Sequence, residues 1–180
     1  WAYDNLIKEG VKKEQLLLTG NTVIDALSLM VEKVRKYPPV LEKELTLRIN
    51  SGKKLILITG HRRENFGQGF EDVCNAIKKL AKEFTDFEFI YPVHLNPNVQ
   101  EPVNRILSKL PNVLLTDPQD YQPFVYLMDK CHFIISDSGG IQEETTALGV
   151  PCITSRTTTE RPVTVEIGTN VLVEPTRSGI

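Results

Sequence analysis

Two hydrophobic rhythms alternate along this chain. From Lys53 onward, short continuous apolar runs such as Leu55-Ile56-Leu57-Ile58 are interleaved with segments whose apolar residues recur every three or four positions. A continuous run is the mark of a strand buried on both faces, and the wider spacing that of an amphipathic helix. The pattern predicts strands over 55–58, 87–93, 113–115, 133–135, 151–154 and 171–173. It predicts helices over 70–81, 99–110, 121–131 and 141–148, the last stopped by Gly149. Upstream, Val23, Leu27, Met30 and Val34 mark a helix ended by Pro38-Pro39, because proline cannot continue the hydrogen-bond ladder. A short helix is expected over 41–49, closed by the turn signal Asn50-Ser51-Gly52. Residues 1–14 read as an amphipathic, partly helical lead-in, and 15–19 as a short strand.

Repeated strand–helix alternation implies an α/β fold: a Rossmann-like parallel sheet with helices on both faces. Ligands of such sheets bind at the carboxyl ends of the strands. The chemically unusual residues fall there. Gly60-His61-Arg62-Arg63-Glu64-Asn65, Pro92-Val93-His94, Asp117-Pro118-Gln119, Ser136-Asp137-Ser138-Gly139-Gly140 and residues 156–162 each follow a predicted strand. Five successive loops are thus expected on one rim.

Composition narrows the partners. A net charge of −2 leaves no footprint for nucleic acid. No apolar run approaches the ~18 residues of a membrane span, and no signal peptide is visible. Cys74, Cys131 and Cys152 form no close pair, and their odd count argues against a disulfide framework. They read as small buried hydrophobes in a reducing cytoplasm. The chain opens on Trp1 and stops at Ile180 just after a strand. It is therefore expected to be part of a longer protein, with a further C-terminal segment to follow.

Several local signals carry two readings. Ser138-Gly139-Gly140 directly precedes a helix, whose unpaired N–H groups and dipole favour an anion. It is either a diphosphate cradle or a simple N-cap with a tight turn, and in isolation the N-cap is favoured. Glu143 and Glu144 either stabilise the helix start or, for Glu144, grip a sugar diol with two hydrogen bonds. Glu143 is expected to point elsewhere. Arg161 either grips phosphate through two parallel hydrogen bonds or makes a loop salt bridge. His61 is either a proton-transferring group near a leaving phosphate or a capped loop histidine. His132 reads as structural, and His94 as intermediate. A third glycine at the dinucleotide-fold spacing, a phosphate-loop lysine, a nucleophile elbow and metal-ligand spacing are all absent from the sequence.

Together the segments carry more than each alone. Thr59-Gly60-His61-Arg62-Arg63-Glu64-Asn65-Phe66-Gly67, Tyr91-Pro92-Val93-His94-Leu95-Asn96-Pro97, Asp137-Ser138-Gly139-Gly140-Ile141-Gln142-Glu143-Glu144, Thr158-Thr159-Glu160-Arg161-Pro162 and Gly20-Asn21-Thr22-Val23-Ile24-Asp25 resemble, in order and spacing, the motifs of the non-hydrolysing UDP-N-acetylglucosamine 2-epimerases. The resemblance implies one half of a glycosyltransferase-B fold, in which two Rossmann-like domains enclose the active site. Residues 1–20 would be the lead-in from the first domain, and 21–180 the C-terminal UDP-binding domain. The implied reaction interconverts UDP-N-acetylglucosamine and UDP-N-acetylmannosamine, by eliminating UDP to a 2-acetamidoglucal and adding UDP back. No metal or redox cofactor is implied. By the same resemblance Ser138, Gly139 and Gly140 hold the diphosphate and Arg161 neutralises it. Glu144 binds the ribose, Gln119 and Phe124 line the uracil site, and His61 is catalytic. Arg62 and His94 match positions of an effector site for a second UDP-N-acetylglucosamine. The carboxylates for proton transfer at the sugar C2 belong to the other domain, and the full-length protein is expected to be a homodimer. Val163 stands where many members have glutamate, and Thr157 replaces a more polar residue, which leaves the subfamily and its exact sugar open. A glycosyltransferase of the same fold, a hydrolysing epimerase and a non-catalytic UDP-binding module are the competing readings.

Overall fold

The structure, a computed structural model, describes residues 2–176 and 179–180. Its elements in chain order are α1 (Ala2–Lys8), α2 (Thr22–Lys36), α3 (Lys43–Ile49), β1 (Lys54–Thr59), α4 (Gln68–Glu83), β2 (Phe87–Pro92), α5 (Pro97–Leu107), β3 (Val113–Thr116), α6 (Tyr121–Lys130), β4 (Phe133–Ser136), α7 (Gly139–Leu148), β5 (Cys152–Ser155), α8 (Pro162–Glu166) and β6 (Asn170–Val173). The strands form one parallel sheet in the order β3-β2-β1-β4-β5-β6. The expected Rossmann-like α/β architecture is therefore present.

Side chains alternate across a strand, so a strand buried on both faces must feed two cores. In β1, Leu55 and Leu57 join Leu27, Val34, Leu45, Val125 and Met128 on one face. Ile56 and Ile58 join Phe70, Ile77, Phe89 and Val103 on the other. Helices α2, α3 and α6 cover the first face, and α4 and α5 the second. The entry to α2 is fixed by Asn21, whose side chain accepts a hydrogen bond from Val23 N–H at 3.0 Å. The exit of α7 is fixed by Gly149, left-handed at φ 68°.

The expected strand over 15–19 is absent. Lys13–Gln15 is a single 3-10 turn, and Leu17 and Leu18 are 85% and 80% exposed. A strand needs a neighbouring edge for its backbone groups, and no described strand lies beside this segment. Conversely, α8 forms within a threonine-rich stretch that read as loop, with Pro162 at its first turn. Boundaries shift slightly elsewhere: the helix expected over 99–110 starts at Pro97 and ends at Leu107.

Strand order positions the site. The chain leaves β1 toward β2 on one side, whereas β4 leads to β5 on the other. Adjacent loops after β1 and β4 therefore diverge and open a crevice at the carboxyl end of the sheet. The ends of these two strands are tied together, with Thr59 opposite Ser136 and their hydroxyls 2.7 Å apart.

Candidate functional site

Four loops at this rim line a cleft of about 240 Å³. The loop after β1 contributes Gly60 and His61, that after β2 His94, that after β3 Gln119, and that after β4 Ser138. Phe124 of α6 supplies an apolar wall. Five of the residues singled out from sequence thus meet in one place. His61 and His94 are stacked, with ring centroids 5.3 Å apart and planes 10° apart. Gln119 is held in place by donating its side-chain amide to the Asp117 carbonyl at 2.8 Å.

Ser138 stands at the N-cap of α7, yet its side chain makes no capping hydrogen bond. Its own N–H donates to Ser136 Oγ at 3.0 Å. The simple N-cap reading is therefore incomplete, since the cap oxygen does not serve the helix. Gly139 is buried, and a Cβ there would collide with the Glu160 carboxylate. An added methyl group would push that flexible side chain aside. Gly140 is open, with only Ser138 Oγ within reach of an added Cβ, at 3.8 Å.

The Glu160 carboxylate lies against Gly139 at the α7 N-terminus. Arg156 donates to this carboxylate at 2.6 Å and Arg62 at 3.3 Å. A hydrogen bond from its own backbone N–H, then the Arg156 bond, hold the Glu160 carboxyl below the usual carboxylate range, against some desolvation. The position expected for a diphosphate is thus one that a carboxylate and two guanidinium groups find favourable. Sequence reasoning gave Glu160 and Arg156 no role, because their placement depends on how the loop after β5 folds back over α7.

Arg161 lies elsewhere. It lines a second cavity of about 410 Å³ with Asn21, Glu143, Glu160 and Val163, on another face of α7 from the cleft. Its Nε is 3.1 Å from Glu143 Oε2, an ion pair without hydrogen-bond alignment, and that Nε is buried and unpartnered. Glu143 does point away from Glu144's face as expected, and it also accepts from Asn21 at 2.9 Å. The salt-bridge alternative for Arg161 is the one present. Glu144 is half-buried and does not line the cleft. Burial first, and then the charge of Glu143, push its carboxyl above the usual range. Glu144 and burial together raise the Tyr121 phenol, burial being the larger cause.

Asp137, just past the end of β4, is a functional position to which the sequence pattern alone assigns no role. It is 2% exposed, and its Oδ2 accepts the backbone N–H groups of His61 at 2.9 Å and Arg62 at 2.8 Å. One carboxylate thereby fixes the loop that carries both residues. The signal for it was an acidic residue at a strand end, immediately before the glycines.

A family model for UDP-N-acetylglucosamine 2-epimerase matches residues 2–180. The chain belongs to the UDP-N-acetylglucosamine 2-epimerase family. It is 50% identical to a Campylobacter jejuni UDP-N-acetylglucosamine 2-epimerase over 98% of this chain and 48% of that one. It is 51% identical to the Escherichia coli K12 enzyme of that name over 94% of this chain and 46% of the other. The chain thus spans about half the length of the curated relatives it matches. The Neisseria meningitidis UDP-GlcNAc 2-epimerase bound to UDP-GlcNAc superposes with a TM-score of 0.86 at 44% identity, over 98% of this chain and 48% of that one. An S. aureus MnaA–UDP co-structure gives 0.86 at 36% identity, over 99% of this chain and 46% of that one. A trehalose-phosphate synthase from Burkholderia xenovorans shares the fold alone, with a TM-score of 0.59 at 14% identity over 84% of this chain and 38% of that one. Among the described residues no helix is long and apolar enough to cross a membrane.

Proposed function

We propose that this chain is the UDP-binding half of an epimerase that interconverts UDP-N-acetylglucosamine and UDP-N-acetylmannosamine. The observation that carries the proposal is the cleft at the sheet's switch point, where loops after four strands bring together His61, His94, Gln119 and Ser138 beside the α7 N-terminus. Family membership and the UDP-containing relatives support the ligand class.

In this reading the diphosphate takes the α7 N-terminus at Ser138, Gly139 and Gly140, displacing the Glu160 carboxylate. Arg62 and Arg156 are then free to meet phosphate charge. Gln119 and Phe124 receive the uracil, and Glu144 the ribose. Arg161 contributes once its pairing with Glu143 is exchanged. These groups stabilise UDP as a leaving group, the electrostatic part of an elimination. His61 acts beside the sugar and diphosphate. Re-addition of UDP at C1, with a proton delivered to the opposite face of the glycal at C2 by carboxylates from the other half, completes the epimerisation.

The domain division at residue 20 belongs to the same proposal, as do a homodimer and an effector UDP-sugar at Arg62 and His94. The stacking of His94 on His61 supports a link between effector and catalytic positions. A reducing, cytoplasmic setting suits three unpaired cysteines. Burial pushes the thiols of Cys74 and Cys131 up to about 12 and that of Cys152 to about 11, so all three are unreactive.

The test is turnover. The chain joined behind the first half of the Campylobacter jejuni relative is expected to convert UDP-N-acetylglucosamine to an equilibrium mixture of the two UDP-sugars, whereas the chain alone does not. Release of free N-acetylmannosamine would assign a hydrolysing enzyme instead. Turnover by the isolated chain would contradict the half-site.

A further inference from the structure

The three histidines of this chain differ in what their ring nitrogens meet. His94 Nδ1 accepts the Asn96 N–H at 3.1 Å, and His132 Nδ1 accepts the Leu55 N–H at 3.4 Å. A nitrogen that accepts a hydrogen bond carries no proton. Both neutral rings are therefore Nε2–H tautomers.

His61 faces the opposite polarity. Its Nδ1 lies 3.8 Å from Asp137 Oδ1. That oxygen is buried and has no hydrogen-bond partner, while its twin Oδ2 is held by two backbone N–H groups. The carboxylate cannot turn away without breaking both bonds. The loop itself is pinned further by the Tyr91 hydroxyl, which donates to the Gly60 carbonyl at 3.2 Å. At 3.8 Å the contact is too long for a hydrogen bond. A small rotation of the exposed imidazole closes it, and such contacts in unliganded sites commonly tighten when the ligand arrives.

We infer that Asp137 is a positioning residue for His61: its Oδ1 is the acceptor for Nδ1–H and fixes that tautomer. The stacked rings of His61 and His94 then carry their protons on opposite nitrogens. Nε2 of His61 is left with the free lone pair. When Nε2 takes part in a hydrogen bond or proton transfer, Nδ1–H stays in place, facing the carboxylate. The bearing of this on epimerisation rests on the function proposed above, but the tautomer does not.

The test uses the isolated chain with 15N-labelled histidine, at a pH above the histidine titration range. Long-range proton–nitrogen spectra are expected to show one Nδ1–H ring and two Nε2–H rings, with His61→Gln identifying the first. In Asp137→Asn the amide oxygen still accepts both backbone N–H groups, but its NH2 now faces the ring. His61 should switch to Nε2–H, so that all three rings match. Three Nε2–H rings in the unaltered chain would overturn the inference, and so would an unchanged His61 in a folded Asp137→Asn chain. Asp137→Asn need not fold for the first result to decide. Adding UDP separates the two proposals: failure of UDP to perturb any histidine would count against the function while leaving the tautomer assignment standing.

Discussion

The two ends of the sheet treat buried polar groups differently. At the amino end each one named here is closed off. Glu88 is paired with Arg48 at 2.6 Å and Lys53 at 3.1 Å. The Asn112 amide donates to the carbonyls of Ala81, Phe84 and Phe87 at 2.9, 3.2 and 3.2 Å. At the carboxyl end, Asp137 Oδ1, Gln142 Nε2, Ser155 Oγ and Arg161 Nε are buried without a hydrogen-bond partner. Buried polar groups are normally satisfied, so unsatisfied ones concentrated at one rim mark where a shifting side chain, such as His61 beside Asp137, or a ligand or further protein surface completes the bonding. The amino end is built for stability and the carboxyl end for exchange.

Breaking the amino end should produce the largest change in stability. Asn112→Ala removes hydrogen bonds to three carbonyls, of which that of Phe84 keeps a loop donor, the Phe87 N–H, and is expected to cost about 2–3 kcal/mol in a denaturant titration, with UDP affinity unchanged. A loss of UDP binding in that folded variant would erase the contrast between the ends. At the carboxyl end, Gly139→Ala should leave stability nearly intact. It should weaken UDP binding by about tenfold, or ~1.4 kcal/mol, because the methyl group occupies the close approach now used by Glu160. Glu160→Gln should act in the opposite direction and tighten UDP severalfold, since the competing charge is gone while Arg62 and Arg156 remain.

The smallest effect concerns Glu144. Its folded carboxyl is raised, so below the unfolded pKa the protonated group costs nothing. As pH rises from the unfolded to the raised folded value, the folded chain keeps a proton that the unfolded chain has lost, and stability falls. Glu144→Gln should therefore raise the melting temperature slightly at neutral pH and leave it unchanged in acid. An equal rise at both pH values would remove the linkage.

The contrast between the ends also explains what the sequence made legible. Strand β1 was readable because four consecutive apolar residues feed two cores. His61, His94, Gln119 and Ser138 were readable because each follows a strand, and parallel topology sends every strand's carboxyl end to one rim. The misreading at 15–19 came from an apolar run, Leu16-Leu17-Leu18, with no strand edge to join, and local pattern does not encode pairing. Helix α8 has only five residues, too few to show a hydrophobic period. The Glu160 carboxylate over Gly139, the Arg161–Glu143 pair and the grip of Asp137 on the His61 loop join residues from 18 to 76 positions apart. Such partners become visible only once the loops are folded together.

Calorimetric titration of the purified chain with UDP, with ADP as the control, tests the central claim most directly. The account predicts saturable binding of UDP and markedly weaker binding of ADP, because the proposed site would take either diphosphate at the α7 N-terminus but only uracil at Gln119 and Phe124. Equal binding of the two, or no UDP binding by a chain shown to be folded, would contradict it.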